Sequence, residues 1–131
     1  MCEQTFRIRT WGFRFFLTDA FVIGALATAL IALKRSENPM WWLLAVVGAH
    51  FFLFCNVIRM RRGFELTWSG GFLLNAGAWL WLEKLTIANF LACQLPLTAV
   101  LLIAEVRSPR YHGVLARQLN PALDEYLKGR Q

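Results

Sequence analysis

Residues 40–62 read MWWLLAVVGAHFFLFCNVIRMRR, a run that settles what kind of solvent this chain is built for. Nineteen residues, Met40 to Ile58, carry no formal charge before the chain meets Arg59-Met60-Arg61-Arg62. A helix of about 20 mostly apolar residues crosses a hydrocarbon core of roughly 30 Å. Two tryptophans at one end and three arginines at the other are what the two edges of a bilayer select: indole rings at headgroup level, and cations held on the cytoplasmic side. The stretch therefore reads as a membrane span with a direction.

Three more segments have the same character. FFLTDAFVIGALATALIAL covers 15–33, LTWSGGFLLNAGAWLWL covers 66–82 and IANFLACQLPLTAVLLIA covers 87–104. The predicted fold is an all-α integral membrane protein of four transmembrane helices, with spans at about 15–33, 40–58, 66–82 and 87–104. The connections are a few residues each, so neighbouring helices run antiparallel. An N-terminal arm (1–14) and a C-terminal tail (105–131) flank this domain. In the tail, Asn120-Pro121 has the form of an N-cap followed by proline at the first helical position. A short amphipathic helix is expected from about Pro121 to Lys128.

The composition agrees. Of 131 residues, 57% are hydrophobic and 17% charged, against roughly 45–50% and about 25% in soluble domains. The net charge of +6 would suggest a nucleic-acid partner in a soluble protein. Its distribution points elsewhere. Arg7, Arg9, Arg14, Arg59, Arg61, Arg62, Arg107, Arg110, Arg117, Lys128 and Arg130 fall on one predicted side, and Lys34, Arg35 and Lys84 on the other. Eleven cations against three place both termini in the cytoplasm. The expected location is the cell's inner (cytoplasmic) membrane, with no nucleic acid bound. Trp41, Trp42, Trp79 and Trp81 fall at the outer boundary, and Trp11 and Trp68 near the inner one.

Polar residues inside spans are the candidate site. His50, Asn75 and Gln94 fall near the predicted midplane of the second, third and fourth spans, where unpaired polar groups are costly. Bonding one another, or a carbonyl freed near Pro96, they would act as packing glue; left accessible, they would form a site for a proton, small substrate or cofactor. Asp19 is an acid one turn inside the first span, a candidate for proton coupling or for an ion pair with nearby arginines. Arg59, Arg61 and Arg62 anchor the topology and are suited to lipid headgroups or a partner subunit. Ala20, Gly24, Thr28 and Ala32 form a small-residue stripe of the kind that lets membrane helices approach closely.

Other chemistry is sparse. No metalloprotease, nucleophile-elbow, Walker or dinucleotide motif occurs, and two distant histidines with no paired intramembrane acids do not assemble a hydrolytic site. The chain is expected to be no enzyme and to hold no metal. Cys2, Cys55 and Cys93 form neither a CxxC pair nor an even framework. A bis-histidine haem would need a second intramembrane histidine, which leaves one axially ligated haem or chlorophyll at His50 as the cofactor reading.

Asp19 and the run Trp68-Ser69-Gly70 resemble, at those positions, the small multidrug resistance transporters, four-span chains with an acid in the first span and an aromatic-rich third. The resemblance implies proton-coupled transport. The arginine-rich second loop, the long tail and the strong charge asymmetry depart from that pattern.

Three functional readings follow. The first is a non-catalytic membrane subunit that packs with lipids and other integral membrane subunits in a larger complex. The second is a small proton-coupled transporter using the intramembrane acid or the midplane polar layer. The third is a pigment- or haem-binding subunit ligated through His50.

Overall fold

A computed structural model describes residues 11–13 and 15–128. Arg7, Arg9, Arg14, Arg130 and Cys2, which entered the sequence reading, lie outside these residues. Every regular element among them is helical. In chain order these are α1 (Leu17–Arg35), α2 (Trp41–Phe52), a π-helical turn (Leu53–Ile58) continuing α2, α3 (Arg62–Trp81), α4 (Ile87–Val106), α5 (Ala116–Leu119) and α6 (Leu123–Leu127). Three helices are long and apolar enough to cross a membrane: Leu17–Arg35, the continuous Trp41–Ile58, and Ile87–Val106. The chain is thus an all-α protein with the helices of a multi-span membrane protein. α3 is as long as α4 at 20 residues, but its first turn carries Arg62 and Glu65. It also begins four residues before the predicted start of the third span.

Local chemistry sets the ends. The Asp19 carboxylate accepts the Phe16 backbone N–H at 2.7 Å, so it satisfies one of the orphan donors at the start of α1 and meets the positive end of its dipole. Lys34 and Arg35 sit in the last turn, where the dipole favours cations. Thr86 caps α4 by accepting the Asn89 N–H at 3.2 Å. α2 passes into the π-turn, which ends on Arg59 in the left-handed region (φ 58°). Its closing bond runs from the Met60 N–H to the Phe54 carbonyl at 2.8 Å.

α3 and α4 form the most intimate helix pair. Gly71 is where Leu97 enters α3: a side chain on that glycine would collide with Leu97 Cδ2. α2 and its π-turn lie across this pair through large side chains. Phe54, Met60, Trp68 and Leu101 form a buried cluster flanked by Leu53, Phe64, Phe72, Leu97 and Leu102. α1 stands outside. No residue of α1 is buried, and it rests on α2, where Gly48 admits Leu26. Its small-residue stripe Ala20, Gly24, Thr28 and Ala32 is exposed, and a side chain at Gly24 would meet open space.

The tail folds back on the bundle instead of trailing from it. Tyr111, Ala116 and Leu123 are buried together against Ile58, Val106 and Leu127. The Val114 N–H donates to the Val57 carbonyl of the π-turn at 2.9 Å. Asn120 stitches the turn, its Nδ2 donating to the Pro109 and Tyr111 carbonyls at 2.8 Å each. The helix expected at 121–128 is the five-residue α6, two residues later at its start because Asn120 caps a turn before it: Asn120 Oδ1 accepts the Ala122 N–H at 3.0 Å.

Candidate functional site

The buried residues of α4 are Phe90, Gln94, Thr98, Leu101 and Glu105. Steps of three and four residues put them on one helical face. Three of the five are polar, and that inward face holds the candidate site.

Its upper part joins three helices. Asn75 of α3 donates through Nδ2 to the Phe90 carbonyl at 2.9 Å and to Gln94 Oε1 at 3.2 Å. One turn along α4, Thr98 Oγ1 accepts the Trp68 indole N–H at 2.9 Å, lies 2.9 Å from the Gln94 carbonyl, and lies 3.3 Å from His50 Nε2. The other nitrogen of His50, Nδ1, is 2.8 Å from the Val46 carbonyl. The imidazole stacks on Trp68 at a centroid separation of 4.5 Å and meets the edge of Phe54 at 5.6 Å. His50, Asn75 and Gln94 therefore enter one network, with Thr98 as its junction.

The protons of this network can be counted. A carbonyl facing Nδ1 requires a proton there, so Nδ1 donates to Val46. The indole N–H can only donate, which uses one lone pair of Thr98 Oγ1. Thr98 then has a single proton for two acceptors. If it goes to the Gln94 carbonyl, Oγ1 offers His50 Nε2 only a lone pair, and the hydroxyl proton is withheld from the imidazole. If it goes to Nε2, the imidazole is neutral and the hydroxyl releases the Gln94 carbonyl. His50 Nε2 and the Gln94 carbonyl of α4 thus compete for the one hydroxyl proton of Thr98.

The lower part is an acid that sequence reading left in the tail. Glu105 is fully buried, and its Oε2 accepts Arg61 Nε at 2.9 Å, with the arginine side chain 44% exposed. Its Oε1 has no partner, and neither do Gln94 Nε2 and Asn56 Nδ2, all three buried. Between the two polar stations lie Leu101 and the cluster of Phe54, Met60 and Trp68, an apolar plug through which no hydrogen-bonded route runs among the described residues.

The remaining candidates separate from this column. Asp19 is occupied as the cap of α1. Arg61 joins Glu105, whereas Arg62 lines a lateral cavity beside Glu65 and Cys55, whose Sγ is 3.7 Å from Glu65 Oε1. Trp68 is 5% exposed and lies in the column, not in an aromatic belt. An axial haem or chlorophyll at His50 would need Nε2 released from Thr98 and space for a macrocycle where Trp68 stacks, so these residues do not fit that group. Sequence reading missed Thr98 and Glu105, and it placed Trp68 at the inner boundary without joining it to His50 or Thr98. The stripe 94, 98, 101, 105 is the signal that finds the two missed residues, once the fourth helix is carried past Ala104.

No family model, no curated protein and no solved structure matches the chain.

Proposed function

We propose that this chain is a small proton-coupled transporter of four spans, with α3 as the third, placed in the cell's inner membrane with both termini cytoplasmic. The eleven-to-three division of cations supports that orientation. The observation that carries the functional reading is the His50–Thr98–Gln94 junction, where a half-buried imidazole and a backbone carbonyl of α4 compete for one hydroxyl proton. Glu105 supplies the acid of the cytoplasmic station. The plug of Phe54, Met60, Trp68 and Leu101 argues for proton passage gated by helix movement over an open proton wire. Two helix irregularities flank it: Pro96, which leaves the Ala92 carbonyl without its helical donor, and the π-turn, a feature frequent at functional hinges.

The test is proton flux in liposomes containing the purified chain and a trapped pH-sensitive dye under an imposed pH gradient. The parent dissipates the gradient faster than empty vesicles. His50→Ala and Glu105→Gln fall to the empty-vesicle rate, while Asp19→Asn retains flux. A parent indistinguishable from empty vesicles, or variants that match the parent, would sink the reading.

A second reading, a non-catalytic subunit of a larger membrane complex, is favoured by one observation: the exposed stripe of α1. Small residues at four-residue spacing are what membrane helices use to pack closely. Purification in mild detergent is expected to retain another integral membrane protein on this reading. A stable isolated monomer counts against it.

A further inference from the structure

A cavity of about 390 Å³ opens between the end of α2 and the start of α3, with Phe51, Cys55, Arg62, Glu65 and Leu66 in its lining. It shares two walls, Phe54 and Trp68, with the polar column. Two of its apolar lining residues, Phe51 and Leu66, are 44% and 67% exposed, so in a bilayer its mouth faces acyl chains. Its polar end holds charges of both signs. Arg62 and Glu65 are three residues apart on one face of α3, yet among the described residues no ion pair joins them; the ion pair there belongs to Arg61 and Glu105. The contact made by the Glu65 carboxylate is the Cys55 thiol. The Arg62 guanidinium and the Glu65 carboxylate therefore remain available to a ligand.

A ligand matching this arrangement has an anion and a cation a few ångströms apart and an apolar chain leading away from them. An anionic lipid satisfies Arg62 but sets its charge against Glu65. A bare organic cation does the reverse. A zwitterionic phospholipid fits both, and the carboxylate distinguishes among such lipids: a primary ammonium donates charge-assisted hydrogen bonds to it, while a quaternary trimethylammonium has no N–H to donate. We infer that this cavity is a binding site for phosphatidylethanolamine from the leaflet on the Arg59–Arg62 side, with its phosphate on Arg62, its ammonium on Glu65 and an acyl chain along Phe51 and Leu66.

The experiment is a competition in detergent between phosphatidylethanolamine, phosphatidylcholine and phosphatidylglycerol of identical acyl chains, with bound lipid counted on the intact full chain by native mass spectrometry. The parent is expected to retain the ethanolamine lipid about tenfold over each competitor, the equivalent of one charge-assisted hydrogen bond. Glu65→Gln removes the preference over phosphatidylcholine. Glu65→Asp keeps a preference, which separates loss of charge from loss of fold. Arg62→Gln weakens all three lipids together, since each offers a phosphate. Equal retention of all three by the parent, or an ethanolamine preference that survives Glu65→Gln, overturns the assignment. These outcomes do not depend on whether the chain moves protons.

Discussion

Gly113 is the tightest point of the tail, and replacing it with alanine measures how the tail is held. An added Cβ would collide with the Ile58 carbonyl oxygen and lie 2.8 Å from both the Ile58 carbonyl carbon and the Val57 carbonyl oxygen. All three are backbone atoms at the end of the π-turn, so no side chain can swing away to make room. Overpacking of this kind costs about 1–3 kcal/mol. Relief requires the tail to lift, which breaks the Val114 N–H bond to Val57, a further loss of about 1 kcal/mol. The combined effect of about 2–4 kcal/mol is a roughly 30- to 700-fold change in the docking equilibrium. Hydrogen exchange at the Val114 amide reads it directly. Gly113→Ala is expected to lose protection by that factor, or down to the exchange rate of an undocked tail if docking is weaker. Gly77→Ala is the control, because a side chain there meets nothing within 4 Å; it is expected to leave the Val114 amide unchanged. Wild-type exchange at Val114 in Gly113→Ala would refute the close packing of the tail on the π-turn.

Two further outcomes follow from the buried polar groups. Asn75→Leu removes the donor to the Phe90 carbonyl and to Gln94 and leaves Gln94, whose Nε2 already lacks a partner, stranded between helices. It is expected to destabilise the protein by about 1–3 kcal/mol in detergent unfolding, while Asn75→Leu with Gln94→Leu costs less than Asn75→Leu alone, since both partners become apolar. Tyr111 supplies a pH dependence: burial, and secondarily the charge of Glu105, raise its phenol above the usual 10.0. The unfolded tail then ionises first, so the stability from this group is complete below pH 10.0 and is lost as the pH rises through the higher folded value. Tyr111→Phe loses the bond from its hydroxyl to the Val114 carbonyl, 2.6 Å long, about 1 kcal/mol, and flattens that alkaline loss when tail protection is followed by hydrogen exchange.

Helix positions were legible because the length of an apolar run is a local property, and so was the short helix after Asn120-Pro121. His50, Asn75 and Gln94 stood out because each is polar within an apolar run. What they bond to was not legible, because it depends on how α2 crosses the α3–α4 pair. Glu105 lies one residue beyond the apolar run ending at Ala104, and its burial is decided by Arg61, 44 residues away in sequence. Asp19 was read by depth, although its relation to Phe16 three residues earlier is that of a local cap. The stripe on α1 shows the limit of periodicity, which identifies a face without saying where the face points. Here it points away from the bundle. The π-turn has no signature in the run LFCNVI.

The orphaned polar atoms bear on the choice between the two functional readings. Asn56 Nδ2, Gln94 Nε2 and Glu105 Oε1 are buried without partners, and such a group costs about 1–3 kcal/mol, more when charged. A subunit whose task is packing is served better by apolar side chains of the same shape at all three positions, since polar groups contribute to a membrane interior only when paired. The orphans are also not scattered. Gln94 adjoins the Thr98 junction through its own carbonyl, Glu105 forms the lower station, and Asn56 lies in the π-turn that closes the plug at Phe54. A chain that keeps unsatisfied donors and acceptors at both stations and at the irregular turn between them has polar capacity where a moving proton needs successive partners. That placement, more than the presence of any one polar residue, is why proton coupling ranks above helix packing.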